Sequence, residues 1–339
     1  MANLSKGKDA KLQGLLYDGS QLPVEVAFCR AFLPENFIRN GKPVERQGRK
    51  AIGPSIYDGS LATERKFFMG KMIFSALLLF FMLSTTLLNS TAHAADSDSV
   101  AWLDQNNVNH GTVSVRYPVK PNVKTKILVT KDAQKYSYNL TPGKSEEVFP
   151  LQMGNGNYSI SILEQLSGNQ YKVIGQDTIE LKLNDSKAVY LNSVQNIDWS
   201  DTNQAIQKAR ELTQGATTDR EKLQKIYDYI ISHINYDSNQ AFALTTDYLP
   251  EIDRTLSSQK DICYGYASLM AAMLRSVDVP TKLVMGKSSY VDTYHAWNEV
   301  YIDNQWVVVD TTVDAALYKG KQKFEMIKDP SKYIKTKQY

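Results

Sequence analysis

Three side chains in the second half of the sequence have the types that nucleophilic catalysis requires. Cys263 lies in the stretch DICYGYASL, His295 in YHAWNEVYI, and Asp310 at the end of WVVVD. A cysteine supplies a nucleophilic sulfur, a histidine takes the thiol proton and later protonates a leaving amine, and a carboxylate orients the imidazole. Taken singly, each residue has a simpler structural explanation. The choice between a catalytic and a structural role therefore depends on the helices and strands that position the three side chains.

The sequence contains two cysteines, Cys29 and Cys263. Cys29 lies in a leader that we expect the mature protein to lack, and Cys263 then has no partner for an intramolecular disulfide. A four-ligand zinc site is disfavoured, because His110, His233 and His295 are the imidazoles that remain and no ligand pair has a short spacing. A buried core thiol and a nucleophile remain as alternatives.

The residues from 263 to 277 are predicted to form a helix. Its apolar face comprises Ala267, Met270, Ala271 and Leu274. Asp261 is the expected N-cap, which places Cys263 in the first turn. There the backbone N–H groups and the helix dipole stabilise a thiolate.

An earlier helix opens at Thr218 with the spacing of a capping box, because Glu221 follows three residues later. Its apolar positions are Leu223, Ile226, Tyr227, Ile230, Ile231 and Ile234. His233 falls in the last turn, where the helix dipole favours a cation. We therefore interpret His233 as structural.

A β-hairpin is predicted from strands at 294–302 and 306–310, joined by Asp303-Asn304-Gln305. His295 and Trp297 share one face of the first strand. A two-residue turn at 303–304 makes Asp310 the diagonal neighbour of His295 on that face, about 7–8 Å away between backbones. A one-residue slip would move Asp310 to the other face, so the prediction depends on the turn.

The strongest targeting signal is a short apolar run at 73–88, preceded by Lys66 and Lys71 and followed by Ala92-His93-Ala94. The run has 16 residues, fewer than the roughly 20 of a membrane-spanning helix. The pattern predicts a secretory signal peptide at 69–94, with a mature protein that begins at Ala95 and is secreted or held at the cell surface. An uncleaved membrane anchor is the alternative.

The segment 1–68 is unusual in front of a signal peptide, which normally starts at the initiator. We interpret it as a misassigned start, with translation beginning at Met69 or Met72, or as a non-structural extension, and expect it to lie outside the fold. Residues 1–94 carry 12 Lys/Arg against 7 Asp/Glu, and the remaining residues carry 27 against 29. The overall charge of +3 therefore gives no argument for nucleic-acid binding.

Residues 95–195 are expected to form a β-sandwich domain. Short segments rich in β-branched and aromatic residues, such as 112–118, 124–130, 157–163 and 187–192, alternate with turn clusters. This part contains no titratable cluster, which indicates a scaffold or binding module. From about residue 200 the period becomes helical, and residues 200–339 are predicted to be a second domain.

The stretch DICYGYASLMAAMLRSVDVPTKLVMG, followed by YHAWNEVYIDNQWVVVD, resembles the core of the transglutaminase-like superfamily over residues 220–315. The resemblance implies an α+β, papain-like core, with helices packed on an antiparallel sheet. It places the catalytic cysteine, histidine and aspartate on Cys263, His295 and Asp310, and implies a structural role for Arg275. Tyr236, together with the backbone N–H of Cys263, is a candidate donor in the oxyanion hole.

The resemblance implies acyl-enzyme chemistry on peptide or amide bonds. Trp297 is a further candidate for an oxyanion or substrate contact. Hydrolysis, as in a protease, peptidase or amidase, is the favoured reaction; protein cross-linking through glutamine and a non-catalytic cell-surface binding module are the alternatives. No metal or organic cofactor is expected, and the substrate is expected to be a peptide, a protein or a cell-wall peptide. The C-terminal segment 319–339 has seven lysines against two acids and is expected to be a solvated tail or a final strand, with wall association as the alternative.

Overall fold

The elements follow the predicted order, with strands first and helices later. The computed structural model describes residues 16–18, 102–243, 245 and 247–339, all of which belong to one compact unit. The first strands are β1 (Leu16–Asp18), β2 (Leu103–Asp104), β3 (Thr112–Val115), β4 (Thr125–Lys131), β5 (Gln134–Asn139), β6 (Glu147–Pro150), β7 (Gly156–Ser167) and β8 (Gln170–Leu181). The helices are α1 (Gln204–Thr213), α2 (Asp219–His233), α3 (Ser238–Ala243), α4 (Ile252–Ser258), α5 (Cys263–Arg275) and α6 (Thr311–Lys319). The later strands are β9 (Asn235–Tyr236), β10 (Lys260–Asp261), β11 (Thr281–Ser288), β12 (Val291–Ile302), β13 (Gln305–Val309), β14 (Ile327–Lys328) and β15 (Tyr333–Gln338).

The N-terminal strands form two antiparallel sheets. The five-stranded sheet has the order β1-β8-β7-β4-β5 and the three-stranded sheet the order β2-β3-β6. Alternate residues of β4 and β7, such as Ile127, Val129 and Ile160, are fully buried and share a hydrophobic cluster with Val113 and Phe149 of the smaller sheet. The β-rich reading of this region is therefore confirmed, while its assignment as a sandwich domain stays a prediction.

One short strand lies in the N-terminal leader. Residues 1–68 were expected to lie outside the fold, but Leu16–Asp18 pairs antiparallel with β8 at Gln170–Lys172. The rest of that segment, with the predicted signal peptide at 69–94, lies outside the described residues. In the part of the chain that the structure describes, no helix combines the length and the apolar character needed to cross a membrane.

The two long helices of the C-terminal half form for the reasons that the sequence indicates. Thr218 and Glu221 make the expected capping box at the start of α2. The exposed ring of His233 stacks on Tyr229 at 4.3 Å between ring centroids, which agrees with a structural role. Every residue of α5 is buried, so this helix is surrounded by protein on all sides.

The C-terminal sheet has the strand order β14-β13-β12-β11-β15, and all its pairings are antiparallel. The β12–β13 hairpin turns at Asp303 and Asn304, whose φ angles are 49° and 62°. Both values suit a tight hairpin turn with left-handed central residues. The register pairs Ile302 with Gln305 and Asn298 with Val309, which confirms the predicted two-residue turn. Residues 333–338 of the C-terminal segment form the final strand β15, one of its two predicted states.

Arg275 connects α5 to distant parts of the chain. Its guanidinium is buried and donates hydrogen bonds to the carbonyl oxygens of Asn192 (2.6 Å), Thr281 (2.9 Å) and Tyr339 (2.9 Å). Burial lowers the pKa of Arg275 to about 9. Three backbone carbonyls would lose their donor without this side chain, so its implied structural role fits the geometry. The helices and antiparallel sheets together confirm the α+β fold class.

Candidate active site

His295 and Asp310 form a buried pair. The Nε2 atom of His295 lies 2.8 Å from Oδ2 of Asp310, and both side chains are 0% exposed. A hydrogen bond of this length between an imidazole and a carboxylate fixes the rotation of the ring and determines which nitrogen faces away from the acid. The structure therefore brings together two of the three predicted catalytic residues.

Asp310 reaches His295 from a different element than the sequence predicts. Strand β13 ends at Val309, and Asp310 is the N-cap of α6, with its Oδ1 accepting the N–H of Val313 at 3.1 Å. The prediction that Asp310 belongs to the strand was therefore wrong. The reason is that an aspartate at this position satisfies an open N–H of the following helix, which favours the end of the strand there. The diagonal approach to His295 is nevertheless made.

The environment of Asp310 keeps its carboxylate ionised. Burial acts to raise the pKa of Asp310, but His295 and the hydrogen bonds from His295, Val313 and Tyr333 outweigh it and hold the pKa below the usual 3.8. An ionised carboxylate only accepts hydrogen bonds, so Nε2 of His295 must carry the shared hydrogen. In the neutral imidazole, Nδ1 is then the nitrogen that can accept a proton.

Cys263 is the first residue of α5 and is 0% exposed. The first N–H groups of a helix have no partner within the helix and point toward this end, where a negative charge is stabilised. The N-cap is Ile262 and not Asp261, so that prediction was wrong. Asp261 instead belongs to the short strand β10, directly before the cap.

The carboxylate of Asp261 fixes the backbone at the start of α5. Its oxygens accept hydrogen bonds from Tyr248 (2.8 Å), Thr255 (2.6 Å) and Arg254 (2.9 Å), and from the N–H of Ile262. A Cβ atom at Gly265 would lie 2.0 Å from the Cγ of Asp261, so only glycine allows this approach. The buried network therefore specifies the backbone that presents Cys263.

Tyr236 lies on β9, which pairs in parallel with β10 so that Tyr236 is opposite Asp261. Its hydroxyl oxygen is buried. The structure thus places Tyr236 beside the chain segment that leads into Cys263, two residues away in the register. Its role near the oxyanion stays a prediction.

Trp297 packs beside His295 instead of lining an open cleft. Its ring is 1% exposed, and its centroid lies 6.2 Å from that of His295 and 5.0 Å from that of Tyr333. Its side chain belongs to a small cluster with Val284 and Val308. In this closed conformation the indole packs against the imidazole, and its predicted contact with a substrate stays a prediction.

Two further residues near the acid were missed in the sequence. Tyr333 donates its hydroxyl hydrogen to Oδ2 of Asp310 at 3.0 Å. Asp314, one turn along α6, is buried and receives hydrogen bonds from Tyr227 (2.8 Å) and from the ammonium group of Lys328. Burial raises the pKa of Asp314 to about 7. No motif marks either residue, because both approach Asp310 through the tertiary fold.

The sequence matches a known family over the region that carries the site. The model of the transglutaminase-like superfamily matches residues 206–311, which include Cys263, His295 and Asp310. The human protein named kyphoscoliosis peptidase is 34% identical over 117 residues, which are 32% of this chain and 18% of that protein. The chain thus corresponds to about a fifth of the length of this curated relative.

Solved structures show a weaker likeness. A protein from Cytophaga hutchinsonii with the provisional description of a cysteine protease is 14% identical with a TM-score of 0.39, covering 67% of this chain and 80% of its own. The periplasmic domain of TgpA from Pseudomonas aeruginosa is 14% identical with a TM-score of 0.33, covering 67% of this chain and 98% of its own. Both scores are too low to carry an argument. On the family match, the chain contains a domain of the transglutaminase-like superfamily at residues 206–311.

Proposed function

We propose that this chain is an exported thiol enzyme that hydrolyses peptide or amide bonds. Cys263 is the nucleophile, His295 the general base and acid, and Asp310 the carboxylate that orients the imidazole. The observation that carries the proposal is the buried 2.8 Å contact between His295 Nε2 and Asp310 Oδ2. That contact leaves Nδ1 as the proton acceptor, which is the property that a base for a thiol needs.

The directions of α5 and β12 support the approach of Cys263 to His295. The side chain of Asn298 donates to the carbonyl oxygen of Ala267 at 2.9 Å, one turn after Cys263. At the other end of the helix, Arg275 contacts the carbonyl oxygen of Thr281, which is paired with Val300. The helix and the strand therefore advance in the same sense. The N-terminus of α5 is directed toward the first half of β12, which carries His295.

The chemistry follows from these roles. The Cys263 thiol passes its proton to His295, and the sulfur forms a bond to the carbonyl carbon of the substrate. The C–N bond then breaks, and the departing amine takes the proton from His295. Water attacks the resulting thioester with His295 as base, which releases the carboxylic acid and restores the thiol. Asp310 stabilises the imidazolium in both halves without taking the proton.

Two donors are proposed for the oxyanion that forms on the substrate carbonyl. One is the backbone N–H of Cys263, at the start of α5, where the helix dipole adds to its strength. The other is the hydroxyl group of Tyr236, whose strand lies beside the segment that leads into α5. Both come from parts of the fold that Asp261 and β10 hold together.

The site is closed in this structure, because Cys263, His295 and Asp310 are each 0% exposed. A substrate can reach the thiol of Cys263 only after the residues that cover it move. The proposal therefore includes an opening step before chemistry, which is a common feature of enzymes that exclude water from the reaction.

The acceptor of the acyl group decides between the reaction classes. The proposed acceptor is water, and the name of the human relative, a peptidase, agrees with this. We expect that incubation of the protein with a peptide library and a fluorescent primary amine gives hydrolysed peptide bonds or deamidated glutamine, as seen by mass spectrometry. The Cys263→Ala variant is the control and should give none of these products.

Other products would change the proposal. Incorporation of the amine at glutamine would make protein cross-linking the function of the chain. The absence of any covalent product under reducing conditions would favour a binding module at the cell surface. The proposed substrate is a peptide, a protein or a cell-wall peptide, and no metal or organic cofactor enters the mechanism.

Export is part of the proposal and rests on the leader, whose removal also removes β1 from the edge of the five-stranded sheet. The basic residues, the short apolar run and the A-x-A pattern at 92–94 support cleavage after Ala94. N-terminal sequencing of exported protein is expected to begin at Ala95. A membrane-bound product that retains residues 72–94 would contradict this and would indicate an uncleaved anchor.

A further inference from the structure

The carboxylate of Asp310 is held by three donors, and one of them comes from the last strand of the sheet. Tyr333 donates its hydroxyl hydrogen to Oδ2 at 3.0 Å, the same oxygen that His295 Nε2 approaches at 2.8 Å. The N–H of Val313 occupies Oδ1 at 3.1 Å. Two of the three contacts fall on the oxygen that faces the imidazole, so Tyr333 acts where the orientation of the ring is determined.

The position of the Tyr333 ring is fixed by packing. It lies 5.0 Å from the Trp297 ring and 5.7 Å from the Tyr290 ring, measured between centroids. Tyr333 pairs with Ser288 at the end of β11, and Ser289 N–H donates to the carbonyl oxygen of Lys332 at 2.9 Å. These contacts do not involve the hydroxyl group, so its hydrogen bond can be removed while the ring stays in place.

We propose that Tyr333 is a positioning residue for the catalytic carboxylate. By sharing Oδ2 with His295, its hydroxyl limits rotation of the carboxylate and keeps Asp310 ionised, so that the imidazole retains the tautomer that accepts the thiol proton. The inference rests on the proposed function, since it requires that Asp310 act through His295 on Cys263. Charge-assisted hydrogen bonds of this kind are among the stronger ones in proteins.

The groups that face Asp310 come from several elements. They are His295 on β12, Tyr333 on β15, Tyr227 on α2, Tyr290 in the β11–β12 turn, and Asp314 on α6 with Lys328 of β14 bound to it. Burial and the charge of Asp310 raise the pKa of Tyr333, so its hydroxyl remains a donor at all pH values of interest. Burial raises the pKa of Asp314 to about 7, whereas the pKa of Asp310 lies below its usual value, so the two carboxyl groups affect different parts of a pH profile.

The test compares Tyr333→Phe with Tyr294→Phe in the full-length protein. Phenylalanine keeps the ring and removes the hydroxyl in both. Tyr294 is the matched control because its hydroxyl also bonds to β15, at Thr336 (2.6 Å), without touching Asp310. The readout is the pH dependence of the rate at which iodoacetamide alkylates Cys263, followed by mass spectrometry of the peptide that contains Cys263 so that Cys29 does not contribute.

In Tyr333→Phe the acid limb of the alkylation profile is expected to move up by about one pH unit, the effect of losing one hydrogen bond to a charged group. The same variant should shift the downfield proton resonance of the His295–Asp310 hydrogen bond. Tyr294→Phe should leave both unchanged, and the thermal midpoint of Tyr333→Phe should fall by only a few degrees, the cost of one buried hydrogen bond. The shift would then be due to the contact with Asp310 and not to the attachment of β15.

Two results would overturn the inference alone. One is a Tyr333→Phe profile that superimposes on that of the wild type while His295→Gln abolishes reactivity at acid pH. The other is an equal shift in Tyr294→Phe, which would make the attachment of β15 the cause. If His295→Gln also leaves the profile unchanged, the proposed function fails, and the inference fails with it.

Discussion

Replacement of His295 by glutamine is expected to slow alkylation of Cys263 at pH 6 by about a hundredfold. A cysteine paired with a histidine at a helix N-terminus is largely thiolate at that pH, whereas a free thiol with a pKa of about 8.5 is ionised by well under about 1%. The lower intrinsic reactivity of a low-pKa thiolate reduces the ratio somewhat. Glutamine is preferred to alanine, because its amide can still donate to Asp310 and avoids a buried unpaired charge that costs about 3–5 kcal/mol.

The measurement is the alkylation rate at Cys263 from pH 4 to pH 9. Since Cys263 is 0% exposed, each rate includes the cost of opening the site, and the shape of the profile is the diagnostic quantity. His233→Ala is the matched control, because the exposed ring of His233 stacks on Tyr229 and is not part of the proposed triad. If His295→Gln leaves the pH profile of the alkylation rate unchanged, Cys263 is a buried core thiol and not a nucleophile paired with His295.

The pairing of His295 with Asp310 could be predicted because a local feature determines it. The dipeptide Asp303-Asn304 tolerates positive φ, which fixes a two-residue turn and hence the register of β12 against β13. Each step along the hairpin then follows from the alternation of strand residues. The prediction failed where a second local preference intervened, because Asp310 caps α6 and leaves the strand.

The contacts that complete the site could not be predicted in this way. Tyr333 lies 23 residues after Asp310 and reaches it because β15 adds to the far edge of the sheet, beside β11. The lysine-rich segment around it has a composition that suits a solvated tail as well as an edge strand. The full burial of Cys263 likewise depends on elements from distant parts of the chain, and no pattern near residue 263 indicates it.

Replacement of Asp310 by asparagine is expected to reduce turnover strongly while changing the fold little. The asparagine side chain can still accept the N–H of Val313, which Asp310 now accepts at 3.1 Å. Its amide nitrogen can instead donate to Nε2 of His295, which moves the ring hydrogen to Nδ1. That tautomer cannot take the thiol proton, and a loss of up to about 10⁴-fold in turnover is expected for a carboxylate in this role. Alkylation of Cys263 should fall less, by no more than the roughly hundredfold expected for His295→Gln, because it requires only the thiolate and none of the later proton transfers.

A comparison of Asp310→Ala with Asp310→Asn separates the two roles of Asp310, as the partner of His295 and as the cap of α6. Alanine removes both the acceptor for His295 and the cap of α6. Because asparagine can still cap the helix, the unfolding free energy of Asp310→Ala should be about 1 kcal/mol lower than that of Asp310→Asn.

The pH dependence of the stability that Asp310 contributes has a definite sign. The folded pKa of Asp310 is lowered, so its ionised form stabilises the fold above the unfolded value of about 3.9, and this contribution disappears as the pH falls through the folded pKa. The stability gap between the wild type and Asp310→Asn, measured by urea unfolding, should therefore narrow from pH 5 toward pH 3, and a gap that stays constant would show that Asp310 is not the ionised partner of His295.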